Sequence, residues 1–311
     1  MNYIFGPVAS RRLGRSLGID PVPLKTCTLD CIYCECGSTT IKTVERKEYV
    51  PLADIVAELS EWQATGEQAD YVTVAGSGEP TLHSRVGEII TEAKRITGLP
   101  VCLLTNGTLF YLPEVRAAAA RADLVVPSLD AADYRTFQRI NRPHHNCTLE
   151  HHLDGLLAFS REFTGKLWLE IFLVPGINDS PGCIATLAAR AAELNPEKIQ
   201  LNTAVRPPAE RSIGMIPEDR LREIATHFSP PAELIAGYRH STGPAHAGTR
   251  EKIMTLLSRR PGTIDDIAAG LDMNKNDVLA LLDALIREGI IITEPHHGET
   301  YYVGAAQKRA T

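Results

Sequence analysis

No stretch of this 311-residue chain approaches the 18 or so consecutive apolar residues that a membrane-crossing helix needs. The first residues, MNYIFGPVASRRLGRS, hold no apolar run followed by a small-residue cleavage site, so no secretory signal is expected and the reading is cytoplasmic. Positive charge is in short supply. The 32 Lys and Arg face 38 Asp and Glu, a net charge of −6, so no broad basic field draws nucleic acid. The 23 Gly and 20 Pro are too few and too scattered for a collagen-like or disordered chain. No H-E-x-x-H metal motif is present, and the paired histidines at 144–145, 151–152 and 296–297 point apart if helical. What remains is an ordinary globular composition, 44% hydrophobic and 23% charged, long enough for one large core and a smaller second unit.

Cysteines are few, seven in all, yet four fall together at Cys27, Cys31, Cys34 and Cys36. An odd total suits a disulfide framework poorly, and thiolate ligation in a reducing compartment suits it better. The spacing CTLDCIYC is C-x3-C-x2-C. Soft thiolates favour iron–sulfur or zinc centres. Structural zinc sites take ligands in separated pairs, and this chain has no remote second pair. Three thiolates on one loop instead suit three irons of a cubic 4Fe-4S cluster, leaving one iron open to an external ligand. Cys102 lies in an apolar run and reads as core, and Cys147 and Cys183 read as small buried hydrophobes.

Apolar runs at 71–76, 101–105, 124–129, 167–174 and 198–205, with weaker ones at 16–22 and 232–237, read as strands covered on both faces. Amphipathic helical patterns lie between them, as in PLADIVAELSEWQ, with Leu52, Ile55, Val56 and Leu59 on one stripe. The alternation predicts an α/β fold, a partial (β/α)6 TIM-like barrel, although a doubly wound sheet gives the same local pattern. HSTGPAHAGT reads as a linker. Domains are therefore expected at 1–240 and 249–311, joined by 241–248. The second unit reads as three short helices and a hairpin around EPHHGET, which resembles a winged-helix domain.

Polar residues recur just after the runs. VAGSGEPTL places Gly76, Ser77, Gly78 and Glu79 after a strand, a ligand-facing position where glycine lets backbone approach closely and Glu79 favours a cation over a phosphate. Thr105 and Asn106 follow the next run, Ser128 and Asp130 the one after, and Asn202, Thr203 and Arg206 a later one. Asn106 as a turn cap, Asp130 as a helix cap and Asn178 as an N-cap are the plainer roles. Arg206 either pairs with a substrate carboxylate or phosphate or braces a loop through Asp or Glu. Cys36 and His83 are further residues beside these motifs.

With Tyr33 in the aromatic position of the cysteine loop, the chain resembles the radical S-adenosylmethionine (AdoMet) superfamily. CTLDCIYCECG, SGEPTLH, TNGTL, SLDA and LNTAVRPPAE resemble its branch related to wyosine-type tRNA base synthases, over roughly residues 2–239. The resemblance implies that Cys27, Cys31 and Cys34 hold a 4Fe-4S cluster whose open iron is chelated by AdoMet. It implies reductive cleavage to a 5′-deoxyadenosyl radical that abstracts hydrogen from an unidentified substrate, with RNA and protein or peptide as candidates. It also implies an electron donor such as flavodoxin or ferredoxin. Tyr33, Gly76, Ser77, Gly78, Glu79, Thr105, Asn106, Ser128, Asp130 and Asn202 are the implied AdoMet contacts. Two departures stand out. Ser77 replaces the first glycine of the family's Gly-Gly-Glu-Pro stretch, and no cysteine precedes Cys27 to build the second cluster of the base synthases. Their reaction is therefore not carried over.

The competing function is an iron–sulfur redox sensor that binds nucleic acid. From Thr249 onward 8 Lys and Arg face 9 Asp and Glu, net −1, which lacks the charge that phosphate contacts require. A packing or docking module is the favoured reading of that unit, and the chemistry is expected to need only the preceding domain.

Overall fold

The computed structural model describes residues 2–10, 12–235, 250–271 and 273–305, so the linker expected at 241–248 lies outside the described residues. The chain opens with β1 (Ile4–Ser10) antiparallel to β2 (Gly14–Ile19), with a register shift between Phe5 and Val8. β1 carries no strand signature in the sequence because Gly6 and Pro7 interrupt it. Two short strands, β3 (Thr26–Cys27) and β4 (Ile41–Lys42), pair in parallel and close the cysteine-bearing loop, with Cys27 opposite Lys42.

Helices and strands then alternate. α1 (Leu52–Ala64) leads to β5 (Tyr71–Val74), α2 (Val86–Thr97) to β6 (Val101–Thr105), and α3 (Pro113–Ala119) to β7 (Leu124–Pro127). α4 (Tyr134–Ile140) and α5 (Leu149–Glu162) precede β8 (Lys166–Phe172). α6 (Pro181–Leu194) precedes β9 (Lys198–Asn202), and α7 (Glu218–Ala225) precedes β10 (Glu233–Leu234). Local chemistry sets the boundaries. Ser180 caps α6 with Pro181 in its first turn, Thr148 caps α5, and Gly98 ends α2 in the left-handed conformation.

From β1 to β10 the eight strands neighbour each other in chain order, except that the small β3–β4 pair stands apart. All pairings after β1–β2 are parallel. A doubly wound sheet would reverse its order at a switch point, and this one does not. The continuous apolar runs reflect burial on both faces. Val101, Leu103 and Val125 pack toward the helices, whereas Cys102, Leu124 and Val126 pack on the inner face with Leu13 and Trp168. The sheet is thus a mixed α/β core that directs its strand ends, and the loops after them, toward one site.

The C-terminal elements are α8 (Arg250–Leu257), α9 (Ile264–Leu271), α10 (Lys275–Arg287) and the antiparallel pair β11 (Ile291–His296) and β12 (Glu299–Gly304). α9 begins with a reciprocal cap. The Asp266 amide donates to Thr263 Oγ1 and the Thr263 amide to Asp266 Oδ2. Ile253, Leu257, Ile267, Val278, Leu282 and Leu285 form a core of their own, but Val8 of β1 packs against it. The unit therefore does not stand apart from the sheet.

Candidate active site

The cysteine loop is held from three sides. The Glu79 amide donates to Thr26 O, and a Cβ on Gly78 would lie 2.1 Å from that same carbonyl, so glycine is required for the approach. The Asp30 and Ile32 amides donate to Asn141 O and Ile140 O at the end of α4. The His144 amide donates to Thr28 O. Cys27, Cys31 and Cys34 lie within electrostatic reach of one another. Burial pushes the Cys27 thiol up to about 12 and raises Cys31 well above an ordinary thiol. Ligation of a cationic centre would offset that cost and release the protons.

Amide donors face the sulfurs. The Leu29 amide and Asn106 Nδ2 each stand 3.5 Å from Cys27 Sγ, and Asn141 Nδ2 stands 3.4 Å from Cys31 Sγ. Cluster thiolates accept such bonds, which tune their potential. Among the described residues no three His, Cys, Asp or Glu are gathered to hold a single metal ion. Soft thiols with amide donors beside Cys27 and Cys31 are the ligand chemistry of an iron–sulfur centre. The donor set fits a cluster held by the three thiols.

The glutamate of the glycine-rich turn is 2% exposed and fully engaged. Its Oε1 accepts from the Thr81 amide (3.0 Å), Thr81 Oγ1 (2.5 Å) and Thr105 Oγ1 (2.6 Å), and its Oε2 from the Asn106 amide (2.8 Å). Burial raises its pKa and these bonds oppose the rise. Asn106 continues the chain of contacts. Its Oδ1 accepts from Thr108, and its Nδ2 donates to Thr28 Oγ1 at 2.8 Å as well as facing Cys27. Ser77 donates to Asp20 from both its amide and its hydroxyl, and a Cβ on Gly76 would collide with that carboxylate.

Asp130 is a bracket, not a helix cap; Asp133 caps α4 instead. Its carboxylate accepts from the Tyr33 hydroxyl, Asn141 Nδ2 (2.8 Å) and the Phe172 amide (2.8 Å), while burial lifts its pKa to about 6. The Tyr33 ring stacks on Phe172 at 3.8 Å. Asn178 is no N-cap either. It is buried, accepts from the Val174 amide and donates to Asp130 O and Phe172 O, tying two strand ends together. His83 is buried, its ring bonded to Val50 O and to the amide of Arg85 at the start of α2.

A chamber of about 360 Å³ opens inside the sheet. Of the residues expected to meet AdoMet, Tyr33, Gly76 and Asn202 line it, together with Cys34 and Cys36. Ser77, Gly78, Glu79, Thr105, Asn106, Ser128 and Asp130 are absent from its wall. Sequence reasoning overlooked most of the rest. Arg12 donates to Gln200 Oε1 and to Glu170, and Asn202 Nδ2 donates to Glu170 Oε1, so a linked polar set lines the inner face of β8 and β9. Alternation along β8 and β9 is the signal that would have found Glu170 and Gln200, polar residues within apolar runs.

The C-terminal unit, expected to stand outside the chemistry, meets the sheet here. Leu256, Arg259 and Arg260 of that unit line the same chamber. Arg259 Nε lies 3.4 Å from Asp20, the carboxylate that holds Ser77, and its guanidinium stacks 4.3 Å from the Phe5 ring centroid. The Cys36 thiol donates to Arg259 O. Arg206 settles on its bracing role. It is 3% exposed and joins Glu35 of the cysteine loop (2.9 Å) to Asp266 of α9 (3.5 Å).

This constellation defines a loop-borne thiolate site over a parallel α/β sheet, and comparison with known proteins places it. The radical SAM superfamily model matches residues 22–182, and the chain belongs to that superfamily. It carries the catalytic domain of an enzyme of this family, whose members in general use AdoMet and a 4Fe-4S cluster. An UPF0026 protein of Methanocaldococcus jannaschii is 31% identical over 316 residues, covering 99% of this chain and 98% of the relative. A Brachyspira hyodysenteriae protein named GTPase Obg is 35% identical over 303 residues, but this chain spans only 45% of its length. The structure of TYW1 with a lysine–pyruvate adduct bound shares the fold, with a TM-score of 0.51 at 19% identity over 71% of this chain and 75% of that one. Among the described residues no helix is long and apolar enough to cross a membrane.

Proposed function

We propose that the chain is a radical AdoMet enzyme that holds a 4Fe-4S cluster on Cys27, Cys31 and Cys34 and acts on a substrate admitted to the chamber. The observation that carries this is Asn106, whose one side chain touches both Cys27 and Thr28 while its amide holds Glu79. That contact makes the cysteine loop and the glycine-rich turn one site. A cluster held by Cys27, Cys31 and Cys34, with AdoMet beside it, would supply one-electron reductive cleavage and hence hydrogen-abstracting chemistry.

The chain's own residues do the rest. Tyr33, clamped by Asp130 and Phe172, sets the edge of the AdoMet seat. Gly76 lets the ligand approach the strand end, and Glu79, with Thr105 behind it, fixes the turn that receives the ammonium group. Asn202, held by Glu170, offers its remaining polar edge on the opposite wall. Phe5, Leu13, Leu104 and Phe172 keep water from the reacting carbon. In this reading the sheet is a partial (β/α)6 barrel and the C-terminal unit a winged-helix-like wall. The resemblance to the wyosine-type branch bears on ancestry and does not name the substrate.

Anaerobic reconstitution with iron and sulfide, then AdoMet and dithionite, tests this. Methionine and 5′-deoxyadenosine should form, and Cys27→Ala, Cys31→Ala or Cys34→Ala should each abolish the reduced-cluster EPR signal. Cys36→Ala should keep most of it. An AdoMet-cleaving cluster in Cys31→Ala would overturn the ligand assignment.

A further inference from the structure

β2 and β5 pair in parallel with Ile19 opposite Val74, so the residues that follow the two strands leave the sheet side by side. Asp20 follows β2, and Gly76 and Ser77 follow β5. The Asp20 carboxylate holds that corner. Its Oδ1 accepts from the Ser77 amide at 3.2 Å and its Oδ2 from the Ser77 hydroxyl at 2.7 Å. A Cβ on Gly76 would fall 2.3 Å from Oδ1, and Gly76 takes a φ of +131° there, a conformation that side chains rarely adopt. The turn that lines the chamber at Gly76 therefore rests on one acidic side chain, itself buried.

A buried carboxylate is costly unless donors and a cation compensate it. Burial raises the Asp20 pKa, and the Ser77 bonds and the Arg259 charge oppose the rise. That cation comes from the other unit. Arg259 stands just past α8 with its Nε 3.4 Å from Asp20 Oδ2. Its seat is fixed. Nη1 donates to Thr255 O at 3.0 Å, Nη2 donates to Asn2 O at 3.3 Å, and the guanidinium lies 4.3 Å from the Phe5 ring centroid. The Phe5 ring in turn fills the space over Gly18, where a Cβ would come within 2.1 Å of it. The Arg259 side chain is 14% exposed and that of Asp20 9%, so the pair is shielded from the solvent that weakens surface ion pairs. The backbone of the same residue meets the cysteine loop, where its carbonyl accepts from the Cys36 thiol.

We propose that Arg259 is a positioning residue for AdoMet: by anchoring the Asp20 carboxylate it fixes Ser77 and Gly76 in the form that receives the ligand. The C-terminal unit thus contributes to cofactor binding through a side chain that acts on the turn. The inference rests on the proposed seating of AdoMet at the glycine-rich turn.

The test uses the full reconstituted chain, with AdoMet binding read by calorimetry and the turn itself by amide hydrogen exchange. Arg259→Gln removes the charge and keeps a polar side chain. It should bind AdoMet about tenfold more weakly at unchanged iron and sulfide content. Peptides spanning residues 75–79 should exchange faster, while those of β8 should not. Arg259→Lys should recover most of the affinity. Asp20→Asn should reproduce the loss, and the double variant Asp20→Asn/Arg259→Gln should lose no more than about twofold beyond either single, because both changes break one link. Arg250→Gln, whose pair with Glu288 lies within the C-terminal unit, should bind as the wild type does. Wild-type affinity and exchange in Arg259→Gln would overturn the proposal. So would fully additive losses in the double variant, which would mean that Arg259 acts on AdoMet independently of Asp20. Should Arg259→Gln fail to hold a cluster, Arg259→Lys and Asp20→Asn are read in the same way, and wild-type affinity in Asp20→Asn would overturn the link. A wild-type chain with an intact cluster and no AdoMet binding would instead overturn the reading of the site beneath it.

Discussion

Glu79 accepts four hydrogen bonds, more than a glutamine in its place can accept. In Glu79→Gln one oxygen still takes the threonine donors, but the new amide nitrogen faces the Asn106 amide donor to donor. Losing a charge-assisted acceptor at a buried site costs about 1.5–3 kcal/mol. The variant should therefore unfold several degrees lower and bind AdoMet more weakly while keeping its cluster, measured by thermal melts and calorimetry. An unchanged melting temperature would mean that the four donors are not fixed on this carboxylate. His152 gives a pH-dependent counterpart. It is 4% exposed and stacks on Phe137. Burial lowers its pKa to about 4, partly offset by the backbone near Ser128 and Asn106. The unfolded chain binds the proton near pH 6.5 and the folded chain only near 4, so stability is full above 6.5 and is lost as pH falls through that interval. The loss amounts to about 3 kcal/mol below pH 4. Urea titrations between pH 7 and 4 should show the decline, and His152→Phe should flatten it.

Among the elements, the segment from Asn202 to Arg206 after β9 carries a coupling that the sequence left open. Arg206 was legible as a charge beside a strand end, and bracing was one of its two readings. Which acids it meets was not legible, because Glu35 and Asp266 are 171 and 60 residues away and no local period links them. The cysteine loop, the glycine-rich turn and the strand–helix alternation were legible for the converse reason. Their signals lie within a few residues or repeat along the chain. The order of the strands was not legible, since a doubly wound sheet has the same local pattern. β1 was hidden by Gly6 and Pro7, and capping stood as the plainer role of Asn178 and Asp130 because capping is a local pattern and strand-end bracing is not. Arg206→Ala leaves two carboxylates facing each other without their cation in a buried setting, a change worth about 3–5 kcal/mol. The expected result is a lower melting temperature and a cysteine loop that loses iron faster to a chelator. Arg206→Lys should recover part of the stability but not the bidentate grip on Glu35. Chelation rates equal to wild type in Arg206→Ala would show that Glu35 needs no cation to hold the loop.

At the scale of the whole molecule, the sequence suggested two units in series and the structure joins them at the chamber. Sequence could not reveal this, since the C-terminal unit has a self-sufficient hydrophobic pattern and a near-neutral charge. Its core is nevertheless completed by Val8 of β1, and its Tyr301 hydroxyl and His296 ring reach Val205 O and Ala204 O beside Arg206. Arg211 pairs with Glu294 across the same boundary at 3.0 Å. Truncation after Arg239 would remove Arg259 from Asp20, Asp266 from Arg206 and Leu256 from the chamber wall in one step. It would also expose the apolar side of β1, which invites association. The truncated chain is therefore expected to melt well below the full chain, to hold less than half its iron after reconstitution, and to cleave AdoMet poorly. Circular dichroism, iron and sulfide content, and 5′-deoxyadenosine yield must be measured on the same preparation, so that loss of fold is separated from loss of chemistry. Val8→Ser/Leu256→Ser in the full chain offers a milder probe, loosening the boundary while both units keep most of their own cores. A truncated chain that stays folded, keeps its cluster and cleaves AdoMet at the full rate would show that the C-terminal unit serves only to position a partner, and would return the chemistry to the sheet alone.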